Sequence, residues 1–342
     1  MTPDKIILVT TAPKGIGLAW FYYRAFKDIN AAKKIEIITE DNRDYNASII
    51  KRGIRKINYK LGRISFEKRK EIEGKLIDGK NIVMLFNNSD LLPDDIKALS
   101  DNKNVFLTNY FSDHLYALHP TSKDTAFKTI PLFDIIFTFA IDLLPVYYQH
   151  GAKLVKRIPF AYCKYTHLNP TKNIQPEFLD TLFYFGTHTP MIENWLKNID
   201  NSIKLQIEGS SWLNANDARL KKIGTKQKPK SGEAMTVYAR KAGAVINFTR
   251  ANHGCFHTMK TFELAIAKTA NITNFSREQQ EFFKDGSFLY FNTFAEMNYQ
   301  IEKALKNKNL NLELREIAYE QALPHTYKNR AEMLMSYVKN IL

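Results

Sequence analysis

The alternation of short apolar runs with helical patterns constrains the fold more than any other feature of the sequence, and it occurs twice along the chain. Strands that alternate with helices imply right-handed crossovers and therefore a parallel sheet. The predicted strands of the first half are KIILVTT (5–11), KIEIIT (34–39), NIVMLF (81–86), NVFLT (104–108), DIIFTF (134–139) and KLVKRI (153–158).

The pattern restarts after a polar, proline-punctuated stretch at residues 159–176, which we interpret as a linker. A chain of 342 residues also exceeds what one hydrophobic core usually fills. The predicted strands of the second half are TLFYFGTH (181–188), SIKLQIEG (202–209), AGAVINFTR (242–250), TANITN (269–274) and SFLYFN (287–292).

These patterns predict two Rossmann-like, doubly wound α/β domains, residues 1–165 and 166–323, that face each other across a cleft. A final helical pattern within residues 324–342 predicts a helix that packs back toward the first domain. Ligands of open α/β sheets bind outside the carboxyl ends of the strands. The loops that follow strands are therefore the first places to look for a site.

The charge balance is strongly basic, because 49 Lys and Arg oppose 35 Asp and Glu and give a formal net charge of +14. Ten of the basic residues lie within residues 51–75. This stretch is interpreted first as a solvated face, second as a surface for an anionic membrane or acceptor, and last as a nucleic-acid surface. Nucleic acid is not expected as a partner, because no zinc-finger spacing or RNP-like motif accompanies the charge.

The expected location is the cytoplasm, with a peripheral contact at the inner face of the membrane as one interpretation of the basic stretch. The two cysteines, Cys163 and Cys255, are too sparse for a disulfide framework. No apolar run reaches the length of about 18 residues that a transmembrane helix needs, and the N-terminus opens directly into a strand pattern.

The segment VTTAPKGIGLA (9–19) is similar to the cofactor loop of short-chain dehydrogenases, so an NAD(P)-dependent oxidoreductase is the main alternative function. That chemistry needs a Tyr and, four residues later, a Lys on the same helix face. In the first half of the chain the spacing occurs only at Tyr23 and Lys27, whereas VYYQHGAKL (146–154) places Tyr148 five residues before Lys153. A tight turn from strand to helix explains the glycines without a nucleotide. Lys14 and Gly15 are then candidates for an acceptor-side loop.

The most specific motif follows the strand pattern at 242–250. It reads Ile-Asn-Phe at 246–248 and then His-Thr-Met-Lys-Thr-Phe-Glu at 257–263, before the strand at 269–274. This order resembles the donor half of the glycosyltransferases related to spore maturation protein CgeB, of the group 1 type. Further matches in the same order are DIIFTF (134–139), GAKLVKRIPFAYCKYTH (151–167), FYFGTHTP (183–190), EQQEFFKDG (278–286) and HTYKNRAEML (325–334).

The resemblance covers residues 130–340 well and the N-terminal third loosely. It implies the GT-B fold and the transfer of a sugar from a nucleotide-diphosphate sugar, which is a substrate, so that no cofactor is expected. Position 255, eight residues before Glu263, holds a glutamate in the broader retaining GT-B families and Cys255 in this chain. Retention of the anomeric configuration is therefore implied by the resemblance alone.

The chemistry of such a donor site explains the residue types in the motif. A departing nucleoside diphosphate needs its growing charge neutralised by cations or by amides at a helix N-terminus. Arg250 and Lys260 flank the loop that leads into a helix predicted to start at about Thr258. Glu263 lies one turn into that helix, and the resemblance implies that it accepts hydrogen bonds from the ribose hydroxyls.

The other donor-site candidates follow strands of the second domain. His188 could instead be a solvated loop residue, and His257 could instead be a residue of the helix N-terminus. These candidates are Gly186, Thr187, His188, Asn247, His257 and Thr258.

In the first domain, Asp113 and His114 follow the strand pattern at 104–108 and are the candidates for a catalytic base or for positioning the sugar. No Asp-x-Asp motif stands at a strand end, so metal dependence is not predicted. The sequence thus favours a glycosyltransferase that acts on a saccharide, a lipid-linked glycan or a surface polymer. The alternatives are the oxidoreductase and a non-catalytic nucleotide-binding module.

Overall fold

The computed structural model of the protein describes residues 2–12, 14–15, 17–39, 49–118, 120–225, 230–249 and 257–342. The chain forms two compact units. Unit 1 comprises Met1–Pro159 together with Tyr327–Leu342, and unit 2 comprises Phe160–Thr326. The units divide after Pro159, whereas the sequence pattern placed the division after residue 165.

Unit 1 is built on a six-stranded parallel sheet with the order β2-β1-β3-β4-β5-β6. Two inner strands, Lys5–Val9 and Asn81–Phe86, are buried along their whole length, as is typical of a parallel sheet covered on both faces. The strands are β1 (Lys5–Val9), β2 (Lys34–Ile38), β3 (Asn81–Phe86), β4 (Val105–Phe111), β5 (Ile135–Thr138) and β6 (Val155–Arg157).

The helices of unit 1 connect these strands, and the last of them comes from the other end of the chain. They are α1 (Leu18–Asp28), α2 (Ile49–Lys60), α3 (Arg63–Glu73), α4 (Pro93–Ser100), α5 (Pro120–Thr129), α6 (Leu143–Gln149) and the C-terminal helix of the whole chain, Tyr327–Lys339. The C-terminal helix packs on α1, where the Tyr327 ring lies 5.2 Å from the Phe21 ring and 5.3 Å from the Tyr22 ring. Arg330 Nε donates to the Pro159 carbonyl at 3.1 Å.

Unit 2 is built on a five-stranded parallel sheet with the order β11-β10-β9-β7-β8. The register between β7 and β9 shifts between Phe178 and Leu182, where an irregularity interrupts the ladder. The elements are β7 (Phe178–Phe185), α7 (Pro190–Leu196), β8 (Lys204–Glu208), α8 (Ala218–Gly224), α9 (Gly232–Lys241), β9 (Ala242–Asn247), α10 (Met259–Ile266), β10 (Asn271–Asn274), α11 (Arg277–Phe282), β11 (Phe288–Phe291), α12 (Phe294–Lys306) and α13 (Lys308–Ala322). The C-terminal helix (Tyr327–Lys339) is therefore α14.

Every strand of the two sheets overlaps an apolar run singled out in the sequence, although β4 ends three residues later and β7 begins three residues earlier than predicted. Both sheets are parallel, as predicted. The interpretation of residues 159–176 as a linker is wrong for its central part. A π-helical turn at Lys164–Leu168 and a 3-10 turn at Asn169–Thr171 belong to unit 2, and His167 and Thr171 are buried there. Within the described residues, no helix combines the length and the apolar character needed to cross a bilayer.

Candidate functional site

The strand order of unit 2 creates a topological switch point between β7 and β9. From β7 the chain moves to β8 on one side, and β9 then starts the other side of the sheet, followed by β10 and β11. Both strands run in the same direction, so the loops after Phe185 and after Asn247 leave the same edge of the sheet side by side. This edge is where open α/β sheets bind their ligands.

The loop after β7 carries Gly186, Thr187 and His188 and is tied to the loop after β8. Trp212 Nε1 donates to the Gly186 carbonyl at 3.0 Å, and the His188 amide donates to the Ser210 carbonyl at 2.9 Å. The hydroxyls of Thr187 and Ser210 lie 2.9 Å apart and are exposed. The two loops therefore present one joint polar surface beside the switch point.

The His188 ring is held in place by a carboxylate. Its Nε2 lies 2.6 Å from Glu193 Oε2, and Glu193 Oε1 accepts a hydrogen bond from the Asp217 amide at 2.6 Å. The hydrogen bond from His188 holds the pKa of the Glu193 carboxyl below its ordinary value. An ionised Glu193 can only accept, so Nε2 of His188 carries the hydrogen. The predicted donor-site role of His188 would thus use Nδ1, because its backbone amide already donates to the Ser210 carbonyl.

The end of β9 is linked to the end of β10 and to the start of α10. Asn247, a predicted donor-site residue, is buried, and its Nδ2 donates to Thr258 Oγ1 at 3.4 Å. Asn274 at the end of β10 accepts from the Thr249 amide at 2.7 Å and donates to the Thr249 hydroxyl at 2.5 Å. Sequence reasoning missed Asn274, because its partner lies in the loop after a different strand.

Helix α10 begins where the sequence predicted. Thr258 is its N-cap and forms a capping box with Thr261, whose hydroxyl accepts from the Thr258 amide at 3.1 Å. This reciprocal pair is the arrangement that fixes the first turn of a helix. The amide end of α10 and its partial positive charge are thereby set at the sheet edge beside Asn247.

Glu263 lies one turn into α10 and is buried. Burial raises the pKa of its carboxyl to about 7, against the opposing effect of the positive charge on Lys260. His167 Nε2 lies 3.3 Å from Glu263 Oε1. Because His167 Nδ1 accepts a hydrogen bond from the Cys163 amide at 2.9 Å, the hydrogen of a neutral His167 ring is on Nε2, toward the carboxyl.

His257 lies within the protein rather than facing a ligand. It is fully buried, its Nε2 accepts from the Phe160 amide at 3.0 Å, and its Nδ1 lies 2.9 Å from Glu278 Oε2. Both ring nitrogens are thus engaged by protein groups, and one of these bonds would have to break for His257 to contact a donor. The geometry favours the alternative role, a histidine that anchors the chain just before α10.

Part of the predicted cationic cradle lies outside the described residues. Arg250 and Cys255 belong to the stretch 250–256, which the structure does not describe. Lys260, in the first turn of α10, is half-buried and close enough to affect the pKa of Glu263. The pairing of Arg250 with Lys260 on one diphosphate therefore stays a prediction.

In unit 1, Asp113 and His114 follow β4 as predicted, and Asn87 at the end of β3 holds this turn. Asn87 Nδ2 donates to Asp113 Oδ2 at 3.0 Å, and Asn87 Oδ1 accepts from the Ser112 amide at 2.9 Å. His114 is buried, with Nε2 3.8 Å from Asp142 Oδ2. The Asp113 side chain is half-buried. Asn87 was not among the residues that the sequence analysis assigned to a site.

The N-terminal glycine loop is a tight turn into α1. Gly15 and Gly17 have φ of 82° and 87°, a region that glycine adopts without strain. Lys14 and Gly15 are exposed, and an added Cβ at Gly15 would meet nothing within 4 Å. Glycine is therefore needed here for the backbone conformation, with or without a ligand.

The residues that an oxidoreductase would use are engaged elsewhere. The Tyr148 hydroxyl accepts from the Val155 amide at 3.2 Å, and Lys153 Nζ pairs with Asp134 Oδ1 at 2.9 Å. Lys27 lies over the Tyr23 ring on the surface of α1, with Nζ 4.5 Å from the ring centre. Neither Tyr–Lys pair noted in the sequence has the geometry in which the lysine lowers the pKa of the tyrosine hydroxyl beside a cofactor.

Two parallel-sheet α/β units, of six and five strands, place the protein in the GT-B fold class that the sequence predicted. Residues 189–336 match a family model described as glycosyl transferase-like. This region contains β8–β11, the α10 motif and most of α14. The second unit thus carries a glycosyltransferase-like sequence on a GT-B fold. A comparison with curated protein sequences returns no match.

Solved structures of similar fold cover nearly the whole chain. Sucrose-phosphate synthase from Thermosynechococcus elongatus has a TM-score of 0.68 at 11% identity, over 99% of each chain. Anabaena HepE in complex with UDP and glucose has a TM-score of 0.66 at 11% identity, over 99% of this chain and 100% of that one. An E. coli structure described as trehalose-6-phosphate bound with UDP-2-fluoro glucose has a TM-score of 0.65 at 12% identity, over 99% and 100%. At these identities the likeness establishes the fold.

Proposed function

We propose that the protein transfers a sugar from a nucleotide-diphosphate sugar to an acceptor hydroxyl and that the donor binds at the carboxyl edge of the second sheet. The proposed acceptor is a saccharide, a lipid-linked glycan or a surface polymer. The glycosyl transferase-like match over residues 189–336 supports the reaction class. Among the proteins of similar fold, HepE is described in complex with UDP and glucose.

One observation carries this proposal. The glycine loop after β7 and the α10 motif after β9 stand on the two neighbouring strands of the switch point, although they are about seventy residues apart in sequence. A nucleotide sugar placed across these strand ends would meet the exposed hydroxyls of Thr187 and Ser210 on one side and the capped start of α10 on the other. The amide end of a helix is suited to a diphosphate, and hydroxyls are suited to phosphate or sugar oxygens.

The proposed roles follow from charge and position. Lys260, together with Arg250, neutralises the diphosphate as it departs, and the amide end of α10 adds its partial positive charge. Glu263 accepts hydrogen bonds from the ribose hydroxyls, and His167 fixes the orientation of its carboxyl. Asp113 and His114 are proposed to act on the acceptor side as base or sugar-positioning groups.

We also propose that the reaction retains the anomeric configuration and needs no metal ion. Retention of the anomeric configuration follows from the resemblance alone, and position 255, a glutamate in the broader retaining families, is a cysteine in this chain. A metal-independent reaction is proposed because Lys260 and Arg250 supply the cations that a divalent ion would otherwise supply. The donor base and sugar are left open.

The test measures nucleotide binding by thermal stabilisation and turnover by release of the nucleoside diphosphate. UDP or GDP is expected to raise Tm where NADPH does not, and one nucleotide sugar of a panel should release its diphosphate. Lys260→Ala and Glu263→Ala should each weaken nucleotide binding about tenfold to a hundredfold, because each removes a charged hydrogen-bond partner.

Two variants serve as controls. Lys303→Ala removes an exposed lysine on α12 and should leave binding unchanged. Gly17→Val distorts the N-terminal turn, where φ is 87°. Stabilisation by NADPH that is lost in Gly17→Val and kept in Lys260→Ala would establish the oxidoreductase instead. Nucleotide binding without turnover of any donor would reduce the protein to a binding module.

A further inference from the structure

The surface of α2 and the start of α3 combines exposed aliphatic side chains with lysines and arginines. Ile54, Ile57 and Leu61 are 54%, 59% and 61% exposed, and Phe66 is 49% exposed. Four large apolar side chains thus point into solvent within thirteen residues of chain. Single exposed apolar residues are ordinary on a protein surface, whereas a cluster of this kind marks an interaction site.

The three aliphatic residues form one stripe. Ile54, Ile57 and Leu61 are spaced i, i+3 and i+7, which places them on one face of α2 and of the turn that follows it. The helix is attached to unit 1 on another side, where Arg55 pairs with Asp90 at 2.6 Å. The exposed stripe is therefore the outer face of an amphipathic helix that turns its apolar side to solvent.

The charges around the stripe determine which partner fits. Residues 49–66 contain six Lys or Arg and no Asp or Glu. Lys56 and Lys60 are exposed beside the stripe, and Arg63 is exposed at the start of α3. Exposed acids first follow at Glu67 and Glu71, farther along α3. A partner that fits this surface therefore has anionic groups opposite the lysines and Arg63 and an apolar region opposite the aliphatic stripe.

We propose that this surface, Ile54, Ile57, Leu61 and Phe66 with Lys56, Lys60 and Arg63, docks the protein on a lipid bilayer with anionic headgroups. Apolar side chains inserted about 5–10 Å at the headgroup boundary, with cations among the headgroups, are the physical pattern of an interfacial helix. A nucleic acid would satisfy the cations and leave three aliphatic side chains without a partner. The proposal does not depend on the proposed glycosyl transfer.

The test is cosedimentation of the full chain with vesicles of phosphatidylcholine mixed with phosphatidylglycerol, compared with vesicles of phosphatidylcholine alone. Wild type should bind the anionic vesicles and lose affinity as salt is raised. The triple variant Ile54→Ser, Ile57→Ser, Leu61→Ser should bind at least about tenfold more weakly, because its apolar stripe is gone. The double variant Lys56→Glu, Lys60→Glu should bind at least about twentyfold more weakly, since each lysine near an anionic surface contributes about fivefold.

Matched controls separate this surface from the general positive charge of the protein. Leu312→Ser removes another exposed leucine, on α13, and the double variant Lys303→Glu, Lys308→Glu removes two exposed lysines elsewhere. Both controls should bind vesicles nearly as wild type does. The circular dichroism spectrum and Tm of every variant show whether it is folded, and a misfolded triple variant is replaced by the single variant Ile57→Ser, which should still bind more weakly.

Several outcomes would overturn the proposal. Equal binding to both kinds of vesicle, or equal loss in the test and control variants, would remove the role of this surface. Self-association in sedimentation velocity that Ile57→Ser abolishes, without vesicle binding by wild type, would assign the surface to a second copy of the chain. Binding of an oligonucleotide that depends on Lys56 and Lys60 but not on the stripe, again without vesicle binding, would assign it to nucleic acid.

Discussion

Glu263 and His167 lie side by side in unit 2, with His167 Nε2 3.3 Å from Glu263 Oε1. The carboxyl is buried on α10, and this burial raises its pKa against the opposing positive charge of Lys260. The hydrogen of a neutral His167 ring lies on Nε2, toward this carboxyl, because Nδ1 accepts from the Cys163 amide. A buried carboxyl with a pKa near neutrality is common at functional sites, where it is held ready for a ligand. The proposed ribose hydroxyls would be such a ligand.

The raised pKa of Glu263 predicts how stability depends on pH. Its pKa of about 7 exceeds the ordinary value of 4.5, so between these values the folded protein binds more protons at this group than the unfolded chain does. The contribution of Glu263 to the free energy of unfolding should therefore fall as pH rises through this window. Glu263→Gln has no carboxyl to titrate and does not show this fall. The free energy of unfolding of Glu263→Gln minus that of wild type should therefore rise, by an amount on the order of 3 kcal/mol, from the acid to the alkaline end of this pH window.

Urea unfolding of both proteins at a series of pH values measures this difference. Glu313→Gln, which changes an exposed glutamate on α13, is the matched control and should give a curve parallel to that of wild type. If the curve of Glu263→Gln is parallel to wild type as well, the carboxyl is not held in the environment described above.

At the scale of single elements, the loops after β7 and β8 approach each other closely through two glycines. A Cβ added to Gly209 would overlap the Gly186 carbonyl oxygen, a backbone atom that cannot move aside by a change of rotamer. The same carbonyl accepts the Trp212 hydrogen bond. The position of the 186–188 loop, and with it one side of the proposed donor site, depends on the absence of a side chain at 209.

Gly209→Ala should therefore destabilise the protein by about 1–3 kcal/mol, as overpacking typically does, and weaken nucleotide binding as well. Gly53→Ala, in α2, is the matched control, because an added Cβ there would meet nothing within 4 Å. That control should be neutral or stabilise by up to about 1 kcal/mol, since alanine is the better helix former. Chemical unfolding and nucleotide titration measure both effects. Unchanged stability of Gly209→Ala would mean that the loops are not in contact in solution.

The sequence predicted the elements better than the contacts between them. Apolar runs such as NIVMLF and AGAVIN lie in sheets buried on both faces, so composition alone indicates strands. The start of α10 was predictable because Thr258 and Thr261 are near in sequence. The pairing of His167 with Glu263 was not, because it joins residues that only the fold brings together. The turns at 164–171 were missed for a related reason: their polar residues are buried by contacts from elsewhere in unit 2.

In the molecule as a whole, the two ends of the chain belong to the same unit, unit 1. After α13 in unit 2, the last sixteen residues belong to unit 1. Tyr327 is buried there among aromatic rings, with Tyr22 5.3 Å away, and the Tyr22 ring lies 5.5 Å from Tyr110 of β4. The helix α14 thus completes the core of a unit whose other strands and helices come from the beginning of the chain.

This connectivity predicts that a mutation in α14 destabilises unit 1 rather than unit 2, although α14 follows unit 2 directly in sequence. Tyr327→Ala leaves a cavity beside Phe21 and Tyr22 and should cost about 3–5 kcal/mol, the usual range for a buried aromatic ring. Hydrogen exchange should rise in α1, β3 and β4 and stay unchanged in β7–β11. Leu314→Ala removes a buried side chain of α13 from the core of unit 2. In that variant, hydrogen exchange should rise in β7–β11 and stay unchanged in α1, β3 and β4. Faster exchange across both units in Tyr327→Ala would show instead that the two units unfold as one cooperative body.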